Sequence, residues 1–267
     1  PGQRHGSHRP GRLIVSRSAL AAGLVLLLCL SLVLSAPARL LGALLPADQV
    51  VLQGLEGTVW QGSASRALVR APTGYLHLGT VHWSLHPLSL LLLAPSVDLE
   101  SSWGTQSLTG ELVWRGSGDL DLRQFEASVS ADLLRQFAPV SLAGTLSLQL
   151  QELLLRDGLP ARGAGRLVWQ NGAWPTAQGV LPLGSYALDF RKEPGEALTG
   201  EVVTLAGPVE ASGVVELRDR TYLVDVLLSG RGLQDPQLQQ ALALIARPVG
   251  QGYRIKLDGE LRPPPPG

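Results

Sequence analysis

The sequence predicts a mainly β protein, in which an N-terminal transmembrane helix precedes a single antiparallel β-rich domain with one or two short helices. Three observations predict this fold. Segments with an apolar residue at every second position recur along the chain, 31 glycines and 19 prolines separate them, and one uncharged apolar run lies near the N-terminus. Gly and Pro at this frequency are typical of short strands joined by turns. The domain is expected to be either a curved open sheet or a sandwich.

The uncharged apolar run covers residues 19–36. As a helix it would span about 27 Å, close to the roughly 30 Å of a bilayer core. Four arginines and no acid precede it, so the positive-inside rule places residues 1–18 in the cytoplasm and the rest across the membrane. A cleaved signal peptide is the alternative, because residues 36–38 read Ala-Pro-Ala, but the length of the run favours a retained anchor.

The remaining chain divides into a linker at residues 37–49, the β-rich domain at residues 50–261 and a proline-rich tail at residues 262–267, which is expected to be disordered. Period-two alternation predicts strands with one buried face within residues 144–155, 185–190, 213–218, 222–228 and 253–257. Four dipeptides between such segments predict turns: Asp157-Gly158, Asn171-Gly172, Pro194-Gly195 and Gly207-Pro208.

Helical signals are few. Residues 235–248 predict a helix with Asp235 as its N-cap, Pro236 in its first turn and Pro248 as its stop. Residues 130–139 predict a short helical turn. Residues 86–95, "HPLSLLLLAP", are compatible with a short helix on the sheet, a buried strand or a membrane-surface patch.

Three tryptophans close short apolar runs that begin with glycine: Trp60, Trp114 and Trp169. We predict a structural role, in which each ring covers an open end of the sheet while its N–H reaches a polar partner. A row of aromatic side chains along a binding groove is the alternative. The similar segments 108–112, 198–202 and 257–261 each carry a Gly-Glu pair, which indicates a glycine bend or bulge before a strand continues.

The charged, histidine and cysteine residues indicate no catalytic, metal or nucleic-acid-binding site. Outside the first 18 residues the net charge is −4, which argues against nucleic-acid binding, and the single Cys29 allows no intramolecular disulfide. His77 and His82 have opposite parity on an extended strand, and His86 precedes a proline, so a shared metal site is not expected. Single glutamates, Glu111, Glu201 and Glu260, fit solvated strand faces. We therefore expect no enzyme activity, cofactor or metal.

Several segments, in this order, resemble one family. They are "LEGTVWQGSA", "GTVHWSLHPLSLLL", "LQELLLRDGLP", "GRLVWQNGAW", "LPLGSYALDF" and "DPQLQQALALIARPVGQGYRIKLDGEL". Together with the apolar N-terminal run, they resemble the bacterial type II secretion system protein N family over residues 45–261. The resemblance implies a single-pass inner-membrane protein with a cytoplasmic N-terminus and a periplasmic β-rich domain. It implies an accessory subunit that supports export of folded proteins through an outer-membrane secretin. Its implied partners are other secretion subunits, either inner-membrane components or the secretin, and no catalytic residues are implied.

A more distant likeness supplies the alternative function. An anchor followed by "GTVWQGSA", "HWSLHPLSLL" and many strands is similar to the start of AsmA-like envelope proteins. That likeness implies a curved sheet whose apolar groove handles lipid, and it is a fold-level analogy.

Overall fold

The computed structural model describes residues 17–44, 48–71, 74–116, 118–136, 141–176 and 178–261. Most of the basic segment predicted at residues 1–18, and the whole proline-rich tail at 262–267, lie outside these residues. The described chain contains fourteen strands: β1 Val50–Gly57, β2 Gln61–Ala71, β3 Gly74–Leu85, β4 Ser96–Trp103, β5 Gln106–Arg115, β6 Asp119–Ser130, β7 Ala143–Arg156, β8 Leu159–Thr176, β9 Gly179–Lys192, β10 Leu198–Ala206, β11 Glu210–Arg218, β12 Thr221–Ser229, β13 Arg247–Val249 and β14 Gly252–Glu260.

All fourteen strands form one antiparallel sheet. Each strand from β2 to β12 pairs with the strand before it, and β14 lies between β12 and the short edge strand β13. The prediction of a mainly β, antiparallel domain is confirmed, and its open-sheet form is the one adopted. Short turns explain the simple order, because a chain that reverses within a few residues places the next strand beside the last.

The helices are α1 Arg17–Leu34, α2 Arg39–Leu44, α3 Pro87–Leu91 and α4 Pro236–Ile245, with 3-10 helices at Ala131–Gln136 and Arg231–Gln234. Asp235 caps α4 as predicted, since its carboxylate accepts hydrogen bonds from the N–H groups of Gln237 and Leu238 at 2.9 and 3.1 Å. The predicted end at Pro248 is wrong. The helix stops at Ile245, because Arg247–Val249 extends and pairs with β14.

The five predicted strand segments lie within β7, β9, β11, β12 and β14. Asp157-Gly158 forms the predicted tight turn, with both residues at positive φ. The turn predicted at Asn171-Gly172 is wrong, because β8 continues through it as a bulge. Asn171 absorbs the extra residue at φ 50°, and a side chain on Gly172 would come within 2.7 Å of the Trp169 ring.

Helix α1 covers most of the predicted anchor at residues 19–36. Among the residues that the structure describes, no helix is both long and apolar enough to cross a membrane. The anchor is thus not confirmed and stays a prediction. Residues 37–44, predicted as part of a linker, are ordered against the sheet: Pro37 forms a β-bridge with Thr58, and α2 contacts β1.

Two small apolar clusters lie at opposite ends of the strand order. The N-terminal cluster contains Ala38, Ala64 and Trp83, with partly buried Leu41, Leu52, Leu55, Val97 and Leu99 around them. The C-terminal cluster contains Val209, Leu233, Leu238 and Leu242, and α4 contributes the last two. Between these clusters the sheet has few fully buried side chains, which leaves both of its faces available for contact.

Candidate functional site

The strand register sorts the side chains of the central strands onto two faces. Residues directly opposite one another in neighbouring strands share a face of the sheet. One face carries the polar row Glu126, Gln149, Arg166, Asp189 and Glu201, which runs across β6 to β10. The other face carries the apolar row Ala127, Leu148, Leu167, Leu188 and Val202 on the same strands.

A large open groove lies over the central strands β6 to β11. Its volume is about 1400 Å³, and all five residues of the polar row line it. The other lining residues are Gln124, Leu150, Gln151, Ala164, Gly165, Phe190, Arg191, Thr199, Gly200, Gly213 and Val214. We call this surface the polar groove.

The polar groove combines charges of both signs with amides. Arg166 Nε lies 3.3 Å from Asp189 Oδ1, and both side chains are about half exposed, so the pair adds little to stability. Glu126, Glu201 and Arg191 add further charge at the same surface. Such groups can ion-pair and hydrogen-bond with a polar partner laid across the strands.

Aromatic rings pack over glycines on the opposite, apolar face. A Cβ atom built on Gly110 would lie 2.7 Å from the Phe125 ring, and one on Gly259 would lie 2.6 Å from the Tyr222 hydroxyl. A Cβ atom built on Gly200 would lie 2.7 Å from Leu188 Cδ1, a residue of the apolar row. The three glycines of the Gly-Glu repeat therefore make room for cross-strand side chains, and a register shift accompanies only the first.

Trp60 joins the end of α1 to the sheet. It lies in the turn between β1 and β2, and its Nε1 donates to the carbonyl oxygen of Val33 at 2.8 Å. The Val59 N–H donates to the carbonyl of Ala36 at 2.9 Å, and the Ala38 N–H donates to that of Gly57 at 3.0 Å. These bonds hold the chain that leaves α1 directly against the first hairpin.

The other two singled-out tryptophans lie apart from Trp60 and from each other. Trp169 is inside β8, where its Nε1 donates to the Ala143 carbonyl at 3.0 Å and its ring lies 5.6 Å from that of Tyr186. Trp114 is near the end of β5 and is 55% exposed. The three rings do not form one aromatic row. Trp83 was not singled out, yet it is buried in the N-terminal cluster and donates to the Val59 carbonyl at 3.1 Å.

Tyr186 fastens the connection between β10 and β11. Its hydroxyl donates to the carbonyl of Val209 at 2.9 Å, and burial raises its pKa to about 12. Val209 belongs to the C-terminal cluster, so this hydrogen bond ties β9 to the chain segment on which α4 packs.

The three histidines do not converge. His77 lies 5.8 Å from the Trp103 ring, while His86 Nε2 lies 3.3 Å from Asp98 Oδ2 and His86 Nδ1 lies 3.1 Å from Ser96 Oγ. In the described part of the chain, no group of three His, Cys, Asp or Glu side chains could hold a metal ion. Glu111, Glu201 and Glu260 lie on three separate strands, β5, β10 and β14.

The structure contains a buried carboxylate, Asp121, that the sequence patterns did not indicate. Asp121 is only 2% exposed, and its Oδ2 accepts hydrogen bonds from Arg115 Nη2, Arg123 Nε and Arg123 Nη2 at 2.9 to 3.0 Å. Its Oδ1 has no partner among the described residues. Asp119 and Asp121 alternate with leucines in the stretch "DLDLR", and no sequence signal distinguishes Asp121 from Asp119.

An exposed apolar segment connects β3 to β4. We call residues 87–93 the leucine loop; it comprises α3 and the two residues after it. Four of its leucines are exposed: Leu88, Leu90, Leu92 and Leu93. Residues 86–95 do not form a buried strand: Pro87–Leu91 form a short helix, and these four leucines face outward instead of packing on the sheet.

Comparisons with known proteins place this chain in one family. The family model described as "Type II secretion system (T2SS), protein N" matches residues 48–256, which include every strand from β1 to β13 in full. The chain belongs to the type II secretion system protein N family. The protein N of Aeromonas hydrophila is 30% identical over 227 residues, covering 81% of this chain and 87% of that protein.

Two further relatives carry the name type II secretion system protein N. The one from Pectobacterium carotovorum subsp. carotovorum is 33% identical over 64% of this chain and 66% of its own length. The one from Vibrio cholerae is 26% identical over 86% of this chain and 93% of its own length. No solved structure matches this chain. The family resemblance found in the sequence is thus confirmed.

Proposed function

We propose that this protein is an inner-membrane accessory subunit of the type II secretion system. In this proposal residues 19–36 anchor it, residues 1–18 face the cytoplasm and the sheet lies in the periplasm. Membership in the family makes the chain a component of the secretion system, with other subunits as its partners. The protein supports export of folded proteins by binding those subunits, not by catalysis.

The observation that carries the proposal is the polar groove. It spans six strands and presents both charge signs from a continuous hydrogen-bonded sheet, which is a rigid platform for a protein partner. Polar and charged groups arranged in this way favour register and specificity in protein contacts. Because the polar row lies on neighbouring strands, a single segment of a partner protein can contact several residues of the row at once.

The apolar character of α1 supports the anchor. Its described side chains from Leu24 to Leu28 and from Leu32 to Leu34 are exposed and apolar, so no part of the described sheet covers them. In water such a surface is unfavourable, whereas a hydrocarbon environment removes the cost.

Site-specific photocrosslinking in cells tests the partner assignment. A photoreactive phenylalanine analogue replaces Gln149 in the polar groove, and a matched variant carries it at Lys256, an exposed position on the same face that lies outside the groove. We expect crosslinks to other secretion subunits from position 149 and few from position 256. Equal yields at both positions, or none at either, would contradict a groove-based contact.

A reporter fusion tests the proposed topology. Alkaline phosphatase fused after Gly267 should be active, and the fusion should stay with membranes after carbonate washing. A mature protein that begins near Ala38 would show that the segment is removed instead of retained.

Lipid handling is the second candidate, and the apolar face of the sheet favours it. The apolar row extends over β6 to β10, and further apolar positions continue it: Val215, Val224 and Leu257 lie opposite one another on β11, β12 and β14. Acyl chains that co-purify with the full chain after detergent-free extraction would support this function. The groove crosslinks would then be absent while the lipid remains bound.

A further inference from the structure

The leucine loop exposes a large apolar surface for so short a segment. Leu88, Leu92 and Leu93 are 74%, 79% and 85% exposed. Residues 87–97 contain no charged side chain, so the exposed leucines are not mixed with the charges that normally keep a surface soluble. A single exposed leucine is ordinary, but several on one short segment mark a contact surface.

The backbone holds this loop in one shape. Leu93 has φ 54°, a left-handed conformation that is unfavourable for a leucine. Its N–H donates to the Leu90 carbonyl, and the Ala94 N–H donates to the Ser89 carbonyl, both at 3.1 Å. The Ser89 hydroxyl donates to the His86 carbonyl at 2.6 Å and accepts from the Ser96 N–H at 2.8 Å. An unfavourable backbone that aims a leucine into solvent is a feature that packing within the chain does not explain.

The leucine loop emerges beside the end of α1. The Leu85 N–H, two residues before the loop, donates to the Trp60 carbonyl at 2.6 Å. The Trp60 indole donates in turn to the Val33 carbonyl in the last turn of α1. Two hydrogen bonds through one tryptophan therefore connect the chain just before the loop to the apolar helix.

Trp114 lies at the same end of the strands. Its N–H donates to the carbonyl of Pro95, just after the leucine loop, at 2.9 Å. Its ring is 55% exposed although it is the largest apolar side chain of β5. Exposed tryptophans are enriched where a protein meets the headgroup layer of a membrane, because the indole has an apolar body and one polar N–H.

We propose that the leucine loop and Trp114 form a second membrane contact, in which the loop dips into the periplasmic leaflet next to α1. This inference rests on the proposed anchor. The occupant is the lipid bilayer itself: α1 brings it to this end of the sheet, and the loop offers an uncharged apolar tip flanked by an exposed indole. Two contacts beside each other would fix the tilt of the sheet relative to the membrane, which a single helix does not do.

Fluorescence quenching of the full chain in vesicles tests the inference. The vesicles contain phosphatidylethanolamine and phosphatidylglycerol, with a nitroxide-labelled lipid as quencher. Cys29, exposed on α1, carries an environment-sensitive dye and reports on the anchor. In two further proteins Cys29→Ser is combined with Leu92→Cys or Leu244→Cys. Leu244 is the matched control, since it is 86% exposed on α4, at the opposite end of the strands.

We expect strong quenching of the dye at positions 29 and 92, and several-fold weaker quenching at position 244. Quenching at position 29 with equal, weak quenching at 92 and 244 would overturn the inference and leave the anchor standing. Absence of quenching at position 29 would overturn the anchor and, with it, this inference. Leu88→Cys on the Cys29→Ser background provides a second loop position, and circular dichroism of each labelled protein verifies that the sheet is formed.

Discussion

Apolar side chains are buried at the C-terminal end of the strand order, whereas at the N-terminal end part of them stays exposed. At the C-terminal end α4 folds back and buries Leu238 and Leu242 against Val209 and Leu233. At the N-terminal end α2 and the chain after α1 cover Ala64 and Trp83, but the leucine loop next to them stays exposed. Helix α4 therefore covers the apolar surface at one end of the sheet, while apolar surface remains exposed to solvent at the other end. The difference indicates that stability resides in the two clusters and that the exposed leucines serve a contact outside the domain.

The largest effect is expected from truncating the N-terminal cluster. Trp83→Ala should lower the free energy of unfolding by about 3–5 kcal/mol, because it removes a buried aromatic ring and its hydrogen bond to Val59. Urea unfolding of the full chain in mild detergent, followed by near-UV circular dichroism, measures this. Trp114→Ala is the matched control and should change the value by less than about 1 kcal/mol, since the ring is already mostly in solvent. Equal losses would show that Trp114 packs in a way the exposure does not reveal.

Leucines of α4 provide the same comparison at the other end. Leu242→Ala should cost about 2–5 kcal/mol, because Leu242 is 5% exposed within the C-terminal cluster. Leu244→Ala, two residues away on the outward side of the same helix, should change stability by no more than about 0.5 kcal/mol. The same unfolding assay measures both. Comparable losses would argue against α4 as the cover of this cluster.

The cap of α4 should matter less than its buried leucines. Asp235→Ala removes the acceptor for two backbone N–H groups and should destabilise the protein by about 1 kcal/mol. Asp235→Asn keeps an acceptor oxygen and should restore most of the loss. The unfolding midpoints of the two variants provide the measurement, and an Asn variant as weak as Ala would contradict the capping role.

Tyr186 makes the C-terminal end sensitive to alkaline pH. Its folded pKa of about 12 lies above the ordinary value of 10.0, so folding favours the protonated phenol. The corresponding stability is fully present below pH 10 and is lost as pH rises from 10 through 12. Absorbance titration of the phenols should show one late-ionising tyrosine that disappears in Tyr186→Phe. A wild-type titration without that late component would contradict the buried environment.

The smallest effect is expected in the leucine loop. Leu92→Ser should leave the free energy of unfolding in detergent unchanged within about 0.5 kcal/mol, because the side chain contacts little of the domain. Thermal unfolding of the variant and the wild-type protein in detergent measures the change in stability. A loss as large as that of Leu242→Ala would show that the loop belongs to the core and not to an outward-facing contact.

Local patterns determined a large part of the fold before any tertiary contact was considered. The alternation within residues 144–155 predicts β7 because side chains of a strand point to opposite faces at every step. Asp235 and Pro236 predict the start of α4 because they satisfy or avoid the free N–H groups of a first turn. The ordered series of weak motifs also indicated the family, which the comparison with three relatives confirms.

The candidate surfaces depend on the register of strand pairing, which the sequence alone does not determine. Glu126, Gln149, Arg166, Asp189 and Glu201 are far apart along the chain and form a row only because bulges and turns align their strands. Asn171-Gly172 has the composition of a turn, yet the pairing on both sides of β8 carries the chain through it as a bulge.

Burial was likewise decided by the tertiary structure. Trp83 and Trp114 have similar local sequence surroundings, but one is buried in a cluster and the other projects into solvent. Sequence alone thus determined which segments are strands, where α4 starts and which family the chain belongs to, because those depend on neighbouring residues. The tertiary structure alone decided which side chains meet and which stay exposed, because that depends on how fourteen strands are aligned in one sheet.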